Sequence, residues 1–223
     1  QTHRSHPNNN HIRLSCITHS PHHTALDDPN AGAPATHRPA SFQLLSVLLV
    51  IQSTDSPAQL YQLGNWPAPF GISLLLYQVS SLMLCLTSAL AVAASLYASS
   101  GEDENGPFFH ALLHFQLMGI NGAFLTADLF NLFVFFEVLL ISSYGLLMHG
   151  GGKARTKAAI HYVLLNLFGS AVFLLALALL YGVLGSLNIS DMAQRISALE
   201  PTQQWLVKSA GGMLLLVFGL KAA

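Results

Sequence analysis

The chain has 223 residues, of which 52% are apolar and only 9% charged, and its formal net charge is −1. Soluble domains carry about 25% charged residues, so this composition excludes an ordinary soluble domain. It also offers no electrostatic case for a nucleic-acid partner. Asp, Glu, Lys and Arg are absent from residues 56–100, 105–127 and 158–190. Such runs exceed the ~20 residues a helix needs to cross a bilayer, and they lack the apolar–polar alternation of a β-barrel. The expected class is all-α: a multi-pass transmembrane helical bundle of about six spans, the last one cut short, behind a disordered N-terminal tail. The two cysteines, Cys16 and Cys85, stand far apart and read as free thiols. No apolar stretch opens the chain, so no cleavable signal peptide is expected.

Residues 1–40 differ from the rest. They hold seven of the eleven histidines (His3, His6, His11, His19, His22, His23 and His37) among Asn, Ser, Thr and Pro, without apolar periodicity. Their spacings match no zinc motif, and the polar composition predicts a disordered tail. Residues 41–52 are apolar but span under 20 Å at 1.5 Å per residue, a weak first span. Residues 55–71 read as a loop with Pro57, Pro67 and Pro69, in which Tyr61 and Trp66 suit a membrane interface.

Residues 70–98 form the predicted second span. Residues 101–106 are a polar turn, and Pro107 suits the first turn of the next helix. Residues 108–126 are the third span, and a break at Ala127-Asp128 leads to the fourth, residues 129–148. Residues 149–157 make a glycine-rich basic loop, and residues 159–187 the fifth span. Residues 188–203 are polar with an amphipathic look through Ile189, Met192, Ile196 and Leu199, and the last span opens near Trp205. Lys153, Arg155 and Lys157 are the basic cluster between spans, so loop 149–157 is expected to be cytoplasmic. Residues 101–106 then fall on the same side, and residues 55–71, Asp128 and residues 188–203 on the other.

Two charges lie deep within the spans. Eight uncharged residues precede Glu137 and fifteen follow it. A carboxylate there costs roughly 2.5–3.5 kcal/mol on insertion scales, and such residues commonly mark ion or proton paths. Lys221 lies 16 residues after Trp205. Opposite charges at similar depth suggest a buried pair, which either carries protons or only fixes helix packing. Tyr144, seven positions after Glu137, shares its helix face. Histidine is the side chain suited to proton relay near neutral pH, so His161 is a candidate relay. Asp128, at a helix end within reach of water, is a further auxiliary candidate, while Lys208 can snorkel. Gln116, Asn121 and Asn166 read as interhelical hydrogen-bonding groups. His110 and His114 lie one turn apart but lack carboxylate or thiol partners, so no metal site is assigned. No nucleophile–base pair or phosphate loop is visible, and no cofactor is expected.

Residues 115–140, running Phe115-Gln116-Leu117-Met118-Gly119-Ile120-Asn121-Gly122 through Asp128-Leu129-Phe130-Asn131 to Phe135-Phe136-Glu137-Val138, closely resemble the D-type member of the multisubunit Mrp monovalent cation/proton antiporters. So do Gly64-Asn65-Trp66-Pro67-Ala68-Pro69-Phe70, His161-Tyr162-Val163-Leu164-Leu165-Asn166 and Phe218-Gly219-Leu220-Lys221. The resemblance runs from about residue 41 to the end. It implies that residues 41–223 are the N-terminal part of an antiporter-like membrane domain. It also implies that Glu137 and Lys221 match the family's essential glutamate and buried lysine on a proton path. Tyr77-Gln78 departs from the family's usual Asp-Arg.

The family's chains are more than twice as long, and residues 1–40 stand where its first helix would be. That implies a truncated fragment whose first forty residues are non-homologous. The expected function is that of a transporter subunit rather than an enzyme. It would exchange Na⁺ or another monovalent cation for H⁺ in the cell membrane, together with the lipid bilayer and the other subunits of its complex. A proton-translocating subunit of a complex I-like oxidoreductase or hydrogenase is the alternative, as are a non-transporting structural subunit and an inert fragment.

Overall fold

A computed structural model describes residues 45, 47–48, 51–52, 58–66, 70–103 and 108–222, all within one unit, residues 34–223. The expected tail lies outside the described residues, as does most of the weak first span. The described members of that stretch, Leu45, Val47, Leu48, Ile51 and Gln52, are helical.

The described residues form a helical bundle with a small hairpin at one end. The helices are α1 (Gln78–Ala98), α2 (Phe109–Leu125), α3 (Leu129–Met148), α4 (Lys153–Leu184), α5 (Ile189–Ser197) and α6 (Pro201–Ala222). Among the described residues, α1, α3, α4 and α6 are long and apolar enough to cross a membrane. The expected third span, α2, has 17 residues, about 25 Å and at the short edge of what can span. Successive helices pack as neighbours from α1 to α4, and α6 packs on α4.

Residues 59–62 and 73–76 correct the expected loop and the expected start of the second span. Gln59–Gln62 (β1) and Ser73–Leu76 (β2) pair antiparallel, Gln59 opposite Leu76 and Gln62 opposite Ser73. The membrane helix therefore starts only at Gln78, where the Tyr77 N–H donates to Ser80 Oγ at 2.9 Å. Periodicity alone could not separate the short apolar run of β2 from the helix that follows it.

The hairpin joins the helix ends beside it. The Ala127 N–H donates to the Ser73 carbonyl, the Ile189 N–H to the Ala127 carbonyl and the Leu129 N–H to the Leu187 carbonyl, each at 2.9 Å. Ser73, Asp128, Ser186 and Asn188 are buried in this plait. The bonds satisfy backbone groups that the α2–α3 break and the end of α4 would otherwise leave orphaned. At the opposite end, His149 Nε2 lies 2.9 Å from the Glu102 carbonyl oxygen, and the Phe109 ring packs against both His110 and His149. The hairpin, the α2–α3 break and the start of α5 thus share one end, while residues 101–103 and 149 share the other. That is the grouping expected from counting spans.

The amphipathic stretch is helix α5. Asn188 caps it by accepting from the Ser190 and Asp191 N–H groups, and Met192 buries its apolar side. Gly185, at φ 68°, closes α4 in the left-handed conformation that favours glycine. Arg195 then reaches back to the Leu184 carbonyl at 2.9 Å. Arg195 also bonds Asp191 at 3.0 Å. That bond, with a second from the Ser186 hydroxyl, holds the Asp191 carboxyl below the usual carboxylate range.

Close packing of α2 on α3 depends on glycine. A Cβ at Gly119 would lie 2.6 Å from Leu139 Cβ, 2.8 Å from Leu139 N and 2.9 Å from Phe135 O. Small residues let membrane helices approach in this way, where dispersion rather than water exclusion holds them. Leu139 and Phe135 flank Glu137, so the contact sets where α3 stands at the depth of the carboxylate.

Candidate functional site

Three helices bring the site together. Asp128 caps α3 by accepting the Asn131 N–H at 2.9 Å, which fixes the register that makes Glu137 the ninth residue of the helix. On α4, Asn166, Ser170, Phe173 and Leu177 recur at helical spacing and are all buried. On α6, Leu214, Val217 and Lys221 repeat every three or four residues. Phe173, Leu177 and Val217 form a dry core with Phe133 and Phe136 of α3 packed against it.

Beside this core, Lys221 Nζ lies 4.0 Å from Glu137 Oε1. The lysine side chain is 11% exposed and the glutamate 31%. Ser170 stands between them: its hydroxyl donates to Glu137 Oε1 and accepts from Lys221 Nζ at 3.4 Å. Phe136, Phe173 and Phe218 form the apolar floor, with Phe173 and Phe218 centroids 5.7 Å apart. Lys221 Nζ sits 5.8 Å from the centre of the Phe136 ring, within the range of a cation–π attraction. At 4 Å two unit charges attract by about 4 kcal/mol at an effective dielectric constant of 20.

The remaining candidates divide. Tyr144 stands near Glu137 on α3 and packs edge-on against Tyr162 of α4, centroids 5.4 Å apart. His161 is exposed on α4, with Nδ1 2.8 Å from the Lys157 carbonyl oxygen. Asp128 is not open to water as expected: it is 8% exposed and serves as the cap of α3. Contrary to the expectation that it lacks a carboxylate partner, His110 pairs with Asp103 at 3.1 Å. Asn166 donates to its own helix, at the Tyr162 carbonyl. Asn121 joins Ser88, Ala91, His114, Leu117 and Met118 around a separate cavity of ≈ 310 Å³ between α1 and α2.

Ser170 is the site residue that sequence reasoning missed. Its only signal is its place on the buried stripe of α4, one turn after Asn166.

Residues 126–223 match the family described as NADH:quinone oxidoreductase/Mrp antiporter, TM. The chain is 53% identical over 162 residues to the D component of a probable K(+)/H(+) antiporter of Rhizobium meliloti (strain 1021), covering 73% of this chain and 30% of that protein. It is 40% identical over 180 residues to the D component of the Na(+)/H(+) antiporter of Bacillus subtilis (strain 168), covering 80% and 36%. Among solved structures it resembles the Mrp complex from Dietzia sp. DQ12-45-1b. There the TM-score is 0.75 at 31% identity, over 85% of this chain and 35% of that one. The chain spans about a third of the length of the curated relatives it matches.

Proposed function

We propose that the chain, whose residues 126–223 match the model of the NADH:quinone oxidoreductase/Mrp antiporter membrane family, is the front portion of a D-type antiporter component that exchanges a monovalent cation for protons. Residues 41–223 are read as the N-terminal part of the proton-conducting domain. The observation that carries this reading is the pair itself: Glu137 and Lys221, opposite charges 4.0 Å apart among aromatic rings on three packed helices.

The physics of such a pair suits proton movement. Glu137 in its ionised form holds Lys221 protonated. A proton that moves from Lys221 to Glu137 neutralises both groups and removes that attraction, so the state of each is coupled to that of the other. The floor of Phe136, Phe173 and Phe218 keeps the local dielectric low, which strengthens the coupling. The chain itself makes and breaks no covalent bond to a substrate in this scheme. It acts as a transporter subunit in the cell membrane, among the other subunits of an antiporter complex, with the Lys153–Arg155–Lys157 end in the cytoplasm.

The test uses the complete subunit in its assembly, reconstituted in vesicles. An imposed Na⁺ or K⁺ gradient is expected to drive proton flux, and Glu137→Gln at equal assembly is expected to abolish it for either cation. Undiminished exchange in Glu137→Gln would remove the pair from the path.

A further inference from the structure

Hydroxyl groups inside membrane helices usually bond their own backbone, and five on α1, α3 and α6 do. Thr87 donates to the Met83 carbonyl and Ser88 to the Leu84 carbonyl, each at 2.8 Å. Ser142 donates to the Val138 carbonyl at 2.9 Å, Ser143 to the Leu140 carbonyl at 2.8 Å and Ser209 to the Trp205 carbonyl at 2.9 Å. Ser170 breaks the pattern. It is 5% exposed, yet its hydroxyl leaves the α4 backbone and spans the gap to two other helices, donating to Glu137 and accepting from Lys221. The bonds share one direction: Lys221 N–H to Ser170 oxygen, Ser170 O–H to Glu137 oxygen.

We propose that Ser170 is the proton relay between Lys221 and Glu137, a role that rests on the pair lying on the proton path. In the forward step one N–H bond of the Lys221 ammonium breaks, and its proton bonds to Ser170 Oγ. Concertedly the former hydroxyl proton of Ser170 bonds to Glu137 Oε1. The lysine ends as a neutral amine, the glutamate as a neutral acid and the serine as a hydroxyl again. The total charge of the three groups is unchanged, and no other reactant takes part. The direct Lys221–Glu137 distance of 4.0 Å exceeds an ordinary hydrogen bond. The hydroxyl divides that gap into two hydrogen-bonded transfers, the lysine–serine one at 3.4 Å.

The experiment compares Ser170→Ala, Ser170→Thr, Ser170→Cys and Glu137→Gln in the complete subunit within its assembly. It reads exchange rate, pH profile and the rate ratio in H₂O and D₂O at equal assembly. Ser170→Ala is expected to slow exchange on the order of tenfold or more, the equivalent of losing a hydrogen bond to a charged group. Its pH profile and isotope ratio are expected to differ from wild type, with Ser170→Thr restoring both. If Ser170→Ala does not assemble, the Thr and Cys variants decide: the weak thiol donor of Cys is expected to be slow and Thr fast. Wild-type rate and isotope ratio in Ser170→Ala, or equal rates in Thr and Cys, overturn the relay. A slowed Ser170→Ala with unchanged pH profile and isotope ratio makes Ser170 a packing residue and also overturns it. Glu137→Gln separates the two ideas: if that variant exchanges normally, the pair is off the path; if it is inactive while Ser170→Ala is normal, only the relay fails.

Discussion

Substitution of Gly119 tests whether the contact of α2 on α3 holds Glu137 in place. In Gly119→Ala the new methyl would sit 2.6 Å from Leu139 Cβ and 2.8 and 2.9 Å from the backbone atoms Leu139 N and Phe135 O. Carbon contacts settle near 3.5–4.0 Å, so α2 must retreat by roughly 0.5–1 Å. Two of the three atoms are backbone and cannot rotate aside. The strain therefore falls at the upper part of the usual overpacking range, about 3 kcal/mol. Replacing a helical glycine returns about 1 kcal/mol, which leaves a net loss of about 2 kcal/mol.

Gly169→Ala on α4 is the internal control, because nothing lies within 4 Å of its Cβ position. It is expected to be neutral or to gain about 0.5–1 kcal/mol. Denaturant titration of the complete subunit in detergent reads both, and vesicle exchange reads whether the loosened α2–α3 contact still holds Glu137 in place. A Gly119→Ala protein as stable and as active as wild type, beside a destabilised Gly169→Ala, would refute the reasoning.

Phe173→Ala removes a side chain that touches Phe133, Phe136 and Phe218. Lipid is as apolar as the core it leaves, so the lower end of the usual cost, about 3 kcal/mol, is expected in the same titration. Asp128→Ala removes the cap of α3, and about 1–2 kcal/mol of stability should go with it. A loss of exchange beyond what reduced assembly explains would instead give Asp128 a part in transport. The Asp191 carboxyl is held low by Arg195, so its contribution is present above the ordinary carboxylate range and is lost as pH falls below about 4. Melting curves at stepwise lower pH should show a smaller decline in Asp191→Asn than in wild type; identical curves would count against the bond.

The two charges of the site were legible because an apolar background makes any charge conspicuous, and their depths followed from counting residues along each helix. The grouping of loops at two ends followed from the same counting. Ser170 was not legible, since a serine in a membrane helix ordinarily bonds its own backbone and only the geometry shows it reaching outward. The hairpin of residues 59–76 was hidden because the four residues of β2 read as the start of a long apolar run. Asp128 was expected to be wet because it ends a helix. Backbone bonds from Ala127, Leu129 and Ile189 close that end over it.

The central claim is that Glu137 gains and loses a proton as part of a unit with Lys221. Difference infrared spectroscopy on the reconstituted assembly addresses it directly, by following the carboxylic-acid C=O stretch as a cation gradient is applied. A band is expected that appears during exchange, shifts in Lys221→Met and is absent in Glu137→Gln. A band that persists in Glu137→Gln, or wild-type exchange with no carboxylic band at all, would contradict it.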